Sequence, residues 1–296
     1  MINIIKLTLD LLPMAIATHL VETSEGPILL ETGPHSALPK LKAGLAEHGY
    51  KMEDIKHVFL THIHLDHAGA AWAFAEHGAT IYMHPLGKKH MVDPSKLLAS
   101  AKMIYKEMME PLWGTLKPIP AEQIMIVEHG KSYTVGDVEI VAWNTPGHAV
   151  HHAAYQIGQS LIAGDVAGAK DERVGYITPP CPPPDINIED WVNSISLLES
   201  LDLTEIYLSH FGKVTDLVNH FTALKTILWD WANFMLPHYQ AGTPPAKVIP
   251  QFLAHVDQQL INAGVSKEDM AACRNFNPPD MAVFGIMHYW KKKLEQ

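Results

Sequence analysis

The stretch from Thr61 to Gly69, THIHLDHAG, constrains this chain more than any other. Within six positions it sets out His62, His64, Asp66 and His67, side chains that bind borderline-soft divalent metals through imidazole nitrogen or carboxylate oxygen. Ile55 to Leu60 before it is a short β-rich run. Ala68 to His77 after it is a small-residue helical pattern stopped by Gly78, so the motif occupies a strand-to-helix turn with Asp66 and His67 just ahead of the helix. A straight strand would send alternate side chains to opposite faces, whereas a turn can fold them toward one point. Read instead as a solvated turn, the stretch needs three His and one Asp to fall in this register by composition alone.

Elsewhere the sequence alternates strand and helix signals. Ile2 to Leu9, Ala15 to Thr23 and Pro27 to Glu31 read as strands, Ser36 to His48 as a helix and Thr80 to His84 as a further strand. Pro94 to Met109 reads as an amphipathic helix whose Met-rich face is expected in the core, and Met83, Met103 and Trp113 are expected to pack. Ile124 to Val127, Ser132 to Val135, Val138 to Trp143, Ala153 to Ile157 and Leu161 to Ala163 follow as strands. From Val166 to Asp185 the prolines forbid a regular period. Asn187 caps a helix to about Leu201, and Glu205 to Leu208 is a strand. Beyond Thr215 only helices are expected, over 216–235, 245–263 and 279–293. The chain therefore divides into an α/β body, 1–214, and a helical extension, 215–296, expected on or near the edge that carries the site.

With 296 residues, 47% of them hydrophobic and 18% charged, the chain can bury a full core. Its net charge of -10 repels polyanions, so nucleic acid is not the expected ligand. No apolar run is long enough for a membrane span, and Met1 to Pro13 reads as a first strand rather than a signal peptide. Cys181 and Cys273 suit neither a disulfide framework nor a zinc ribbon, which makes a reducing cytoplasm the simplest setting. A small-molecule substrate is the expected partner, and a homodimer is compatible with such a chain.

Four places share one local grammar, in which a β-rich run ends in a Gly or Pro turn carrying His or Asp. They are His62/His64/Asp66/His67, His148 in TPGH, Asp165 in AGD and His210 in SHFG. Ligands gather where loops from several strands converge on a rigid edge. Seven candidates exceed one tetrahedral zinc and suit two divalent ions sharing a carboxylate, which can hold a bridging hydroxide at neutral pH.

In H-x-H-x-D-H at 62–67, then His148, Asp165 after a glycine and His210, the chain resembles the metallo-β-lactamase superfamily over roughly 2–212. The resemblance implies a four-layer αββα sandwich. It implies that His62, His64 and His148 bind the first metal, that Asp66, His67 and His210 bind the second, and that Asp165 bridges them. The metals would be zinc first, with iron or manganese also fitting. THIHLDHAG looks most like the glyoxalase II branch of thioester hydrolases and is shared by lactonases that open homoserine lactones. The implied function is a dinuclear hydrolase cleaving a small-molecule ester, lactone or thioester, with Asp66 helping to shuttle the proton. A mononuclear iron enzyme of the persulfide dioxygenase type and a phosphodiesterase use the same scaffold.

Many members end the third strand on Asp where this chain has Glu31, the candidate, with His35, for a hydrogen bond to a ligand. Lactonases carry a Tyr three residues after the bridging Asp; here that position is Gly168, and Tyr176 is the substitute candidate for contacting substrate. The two arginines, Arg173 and Arg274, are few for gripping glutathione carboxylates. Of His151 and His152, at most one is expected to face the metals, since neighbours on a strand point opposite ways.

Overall fold

The computed structural model describes residues 1–11, 15–171 and 174–295, with the side chains of 275 and 276 excepted. Pro13 and Arg173 lie outside the described residues. The first sheet begins with β1 (Ile2–Thr8) antiparallel to β2 (Ala15–Val21), and β3 (Ile28–Leu30) pairs antiparallel with β2. The strands β4 (His57–Phe59), β5 (Thr80–Met83) and β6 (Ile124–Ile126) then add in parallel. The second sheet carries β7 (Lys131–Val135), β8 (Val138–Asn144), β9 (Ala153–Ile157) and β10 (Ser160–Gly164) as an antiparallel meander. A two-stranded ribbon, β11 (Ala169–Lys170) with β12 (Ile177–Thr178), crosses the stretch where no period was expected. The second sheet is completed by β13 (Glu205–Leu208), parallel to β10, and β14 (Gly212–Val214).

The period-2 alternation of each strand divides its side chains between two cores. Leu29, Val58 and Ile81 point outward to Leu41 and Leu45 of α1 (Leu38–Glu47) and to Phe74, which follows α2 (Leu65–Ala68) in α3 (Ala71–Glu76). Their neighbours Leu30, Phe59 and Tyr82 point inward to Tyr155, Ile162 and Tyr207 of the second sheet. Phe59 stacks on Tyr82 at 4.1 Å and meets Tyr155 edge-on at 5.3 Å, which ties the sheets together. On the far face Leu161, Ile206 and Leu208 pack with the later helices. Three cores between four layers make the expected αββα sandwich.

After β5 come α4 (Pro85–Val92), α5 (Ser95–Tyr105) and α6 (Met109–Trp113), and between β12 and β13 lies α7 (Ile188–Glu199), capped by the Asn187 side chain. The chain ends in α8 (Leu217–Gln240), α9 (Pro245–Asn262), α10 (Lys267–Phe276) and α11 (Pro279–Leu294). Trp231, Phe252 and Ile286 of these helices share one core with Trp191 of α7 and Leu208 of the second sheet. Among the described residues no helix is long and apolar enough to cross a membrane.

Several expectations change. The helix after the His motif starts at Leu65, so Asp66 and His67 lie in its first turn rather than ahead of it. It breaks at Gly69–Ala70 because Thr32 N–H takes the His67 carbonyl and Ala70 N–H goes to Gly33. The helix α10 was not expected, although Ser266 accepting from Asp269 N–H is a capping signal readable in the sequence. Met83 and Trp113 are buried as expected, but Met103 is 75% exposed. Ile104 and Met108 of the same segment face a cavity rather than the core.

Candidate metal centre

The turns leaving β4, β8, β10 and β13 bring all seven candidate ligands to one place. His62 Nε2 and His148 Nε2 each lie 3.0 Å from His64 Nδ1. His210 Nε2 lies 3.3 Å from both His67 Nε2 and Asp66 Oδ2. Asp165 sits between the two sets, its Oδ2 3.4 Å from His148 Nε2 and its Oδ1 3.4 Å from His67 Nε2. It gets there through Gly164, at φ +58°, where a Cβ would stand 2.6 Å from His152 Nε2 and 2.7 Å from Thr61 Oγ1. Only glycine combines that backbone with that approach.

This donor set fits cations. Bonds of about 2.0–2.1 Å to a tetrahedral ion place its ligand atoms about 3.3 Å apart, which is the spacing found. Hydrogen bonding does not account for it, because His64 Nδ1 faces two imidazole nitrogens at once and Asp165 Oδ1 is buried without a hydrogen bond. Among the described residues, three groups have potential ligand atoms within 4.8 Å of one another: His62, His64 and His148; His62, His67 and Asp165; Asp66, His67 and His210.

The outward ring nitrogens fix the rings. His67 Nδ1–H donates to Glu31 Oε2 at 2.6 Å, His148 Nδ1–H to the Pro180 carbonyl at 2.8 Å, and His210 Nδ1–H to the Ala15 carbonyl at 3.3 Å. Each leaves an Nε2 lone pair pointing inward. Glu31 also accepts from Thr61 N–H at 2.7 Å and holds φ +68°, a strained backbone for a residue with a Cβ. Its longer side chain therefore makes the bond to a ligand for which it was a candidate.

The charges follow the geometry. Burial lowers His62 well below the ordinary imidazole range, as do the rings of His67 and His64 beside it, and burial brings His64 to about 3. Burial pushes Asp165 up, but His67, His210 and His148 outweigh it and hold the carboxyl well below its usual range. For His67 burial is opposed by Asp165, Asp66 and Glu31, which raise it well above normal. The field around His67 thus favours a positive charge, which a proton or a cation can supply.

Other expectations are corrected. Tyr176 does not reach the site; its ring packs among the helices and its hydroxyl faces Gln259 at 3.4 Å. His35 bonds Thr115 N–H through Nδ1 at 3.1 Å and tilts on Trp72, so it braces a loop rather than a ligand. His151 and His152 both turn toward the site, because β9 begins only at Ala153 and the strand's alternation does not apply to them. His152 Nε2 accepts from Asp165 N–H at 3.1 Å, while His151 lines the cavity 3.7 Å from Asp185.

Sequence reasoning passed over two contributors. Trp191 Nε1–H donates to the Val166 carbonyl at 2.7 Å and Ser194 Oγ–H to Pro146 at 2.6 Å, so α7 braces the loops carrying Asp165 and His148. Its Asn187 cap was the visible signal. Tyr105 of α5 stands in a cavity of about 770 Å³ with Asp66, His64 and His210, and burial, then Asp66, raises its phenol. Nothing in its sequence neighbourhood marks it. The Pro-rich loop and the start of α11, at Pro182 and Met281, complete the cavity wall.

The sequence profile of the metallo-beta-lactamase superfamily matches residues 12–210, and the chain belongs to that superfamily. It is 25% identical to a metallo-beta-lactamase fold-containing protein of Sulfurisphaera tokodaii, over 55% of this chain and 63% of that one. It is 36% identical to an N-acyl homoserine lactonase of Bacillus cereus, over 22% of this chain and 36% of the lactonase. The chain thus spans less than two thirds of these curated relatives. The structure is similar to that of a metallo-beta-lactamase family protein from Thermus thermophilus, with a TM-score of 0.66 and 20% identity over 99% of this chain and 93% of that one. An archaeal superfamily protein from Sulfolobus tokodaii aligns with a TM-score of 0.62 and 20% identity over 79% and 86%.

Proposed function

We propose that this protein is a dinuclear metallohydrolase that cleaves an ester, lactone or thioester of a small molecule. The observation that carries the reading is Asp165, whose two carboxylate oxygens face one set of imidazoles each. His62, His64 and His148 would hold one ion, and Asp66, His67 and His210 the other, with zinc the first candidate and iron or manganese accepted by the same donors. When bound, such a pair acidifies water to a nucleophile at neutral pH and polarises a carbonyl. The chain's own part is to fix the donors, to exclude bulk water with the apolar cavity and to offer Asp66, held ionised by His67 and His210 and the most open of the candidate carboxylates at 19% side-chain exposure, as a group that would pass a proton on. The partial likeness to a homoserine lactonase supports carbonyl over phosphoryl chemistry, as does the net charge of -10. The trio of His62, His64 and His148, beside the separate set of Asp66, His67 and His210, favours this reading over a single iron held by two His and one Asp.

Metal content by mass spectrometry together with a panel of esters, lactones, thioesters and phosphodiesters tests it. We expect about two ions per chain and carbonyl-ester turnover that Asp165→Asn removes while the circular dichroism spectrum stays intact. One iron with oxygen uptake, or full activity in chelated His62→Ala, would reject it.

A further inference from the structure

The cavity has a second pole that hydrolysis leaves unused. Its wall is α5, whose apolar residues Leu97, Ala101 and Ile104 face it, continued by Met108 in the turn that follows. At the C-terminal end of this wall, Tyr105 lies close enough to Asp66 to feel its charge. At the other end Lys96, with Lys89 of α4, flanks His90, whose imidazole is pushed down by burial and by those two ammonium groups. A chain of neighbours links the poles: Asp185 acts on His90, lies 3.7 Å from His151, and the His151 ring is 5.7 Å from that of His64. The helix rises about 14 Å over the nine steps from Lys96 to Tyr105.

Among the described residues neither Lys89 nor Lys96 makes an ion pair. Asp185, the one cavity carboxylate among the described residues that is not a candidate ligand, faces His151 instead. In a chain of net charge -10, Lys89 and Lys96 are the two ammonium groups among the described cavity residues, although Asp93 acts on Lys96 from just before α5. Lysine at the rim selects anions, while an apolar wall selects chain length.

We propose that the substrate is an amphipathic acyl compound with its scissile carbonyl at the ligand cluster, its apolar chain along α5, and a second, anionic group toward the Lys96 end of that helix, held by Lys89 and Lys96. The proposal rests on the metallohydrolase reading for which end reacts. Because the lysines are exposed, their contribution is modest and falls with salt.

Binding separates this proposal from turnover. Calorimetry on the metal-loaded protein compares dodecanoate, dodecanedioate and hexanedioate. The long diacid should bind about tenfold more tightly than the monoacid at low ionic strength, and the short diacid should show no gain. The advantage should vanish in 0.5 M salt, a concentration at which the screening length is about 4 Å, and in the double variant Lys89→Ala/Lys96→Ala. Equal affinity for the two long acids, an advantage that survives the double variant, or binding of neither acid would overturn the proposal. Loss of every ester activity with the diacid preference intact would instead reject the hydrolase reading alone.

Discussion

At the scale of single residues, Glu31 shows how a candidate ligand is held by a residue outside the candidate set. It receives both His67 Nδ1–H and Thr61 N–H, at a backbone angle that costs energy. Glu31→Gln keeps the shape but removes the charge facing His67. We expect metal affinity to fall about 10- to 100-fold, read by competition with a chromophoric chelator, with the fold retained. Unchanged affinity would remove Glu31 from the site. His19 makes a different point, since it is fully buried between the sheets and burial lowers its imidazole to about 3, with a weak opposing contact from Leu30. Below pH about 6.5 the unfolded chain takes up a proton that the folded chain refuses, so stability falls as pH drops from about 6.5 toward 3, by at most about 1.4 kcal/mol per unit. His19→Leu should flatten that decline by about 1 kcal/mol between pH 6 and 5 in urea titrations. An unchanged slope would mean that the ring is hydrated.

At the scale of elements, the helices other than the four-residue α2, which carries Asp66 and His67, set the walls of the site rather than supply its candidate ligands. The helix α11 lies so close to the Pro-rich loop that a Cβ at Gly285 would come 2.0 Å from the Cys181 carbonyl oxygen. Gly285→Ala must push the two apart, and we expect a loss of about 1–3 kcal/mol in chemical denaturation, with metal content unaltered. Stability equal to the parent would show that this contact is looser than the geometry indicates. The wall formed by α5 explains why a stripe that reads as core is core only in part, with Ala101, Leu97 and Leu98 packed there while Ile104 and Met108 line the cavity. A helix lining a cavity needs the same apolar face as one packed on a sheet, and periodicity does not distinguish a solid partner from a void.

For the whole molecule, two six-stranded sheets are held by three cores, and the candidate ligands come from loops of both sheets. A cation binding there ties the halves together and binds the folded chain alone. At a free concentration 1,000 times its dissociation constant it contributes about 4 kcal/mol. Chelation should therefore lower the thermal midpoint by about 6 °C in differential scanning calorimetry, and re-addition of metal should restore it. No shift would indicate that these side chains do not hold an ion. The helices over 217–294 share the core of Trp191 and Leu208, which ties their folding to that of the body.

By itself the sequence determined the types of the candidate ligands and their order. His62, His64, Asp66 and His67 are local, and turns carrying His148, Asp165 and His210 are legible because Gly and Pro interrupt β-rich runs. The alternation of apolar side chains was equally readable, since period 2 is a local property of the strand. Tertiary structure decided which distant groups meet. Tyr105 rather than Tyr176 shares the cavity with the candidate ligands, His152 reaches the Asp165 backbone, and α5 lines that cavity as well as packing on the core. These depend on loop paths and on the angles at which layers pack, which are set by contacts between residues far apart in the chain, and no local spacing encodes them.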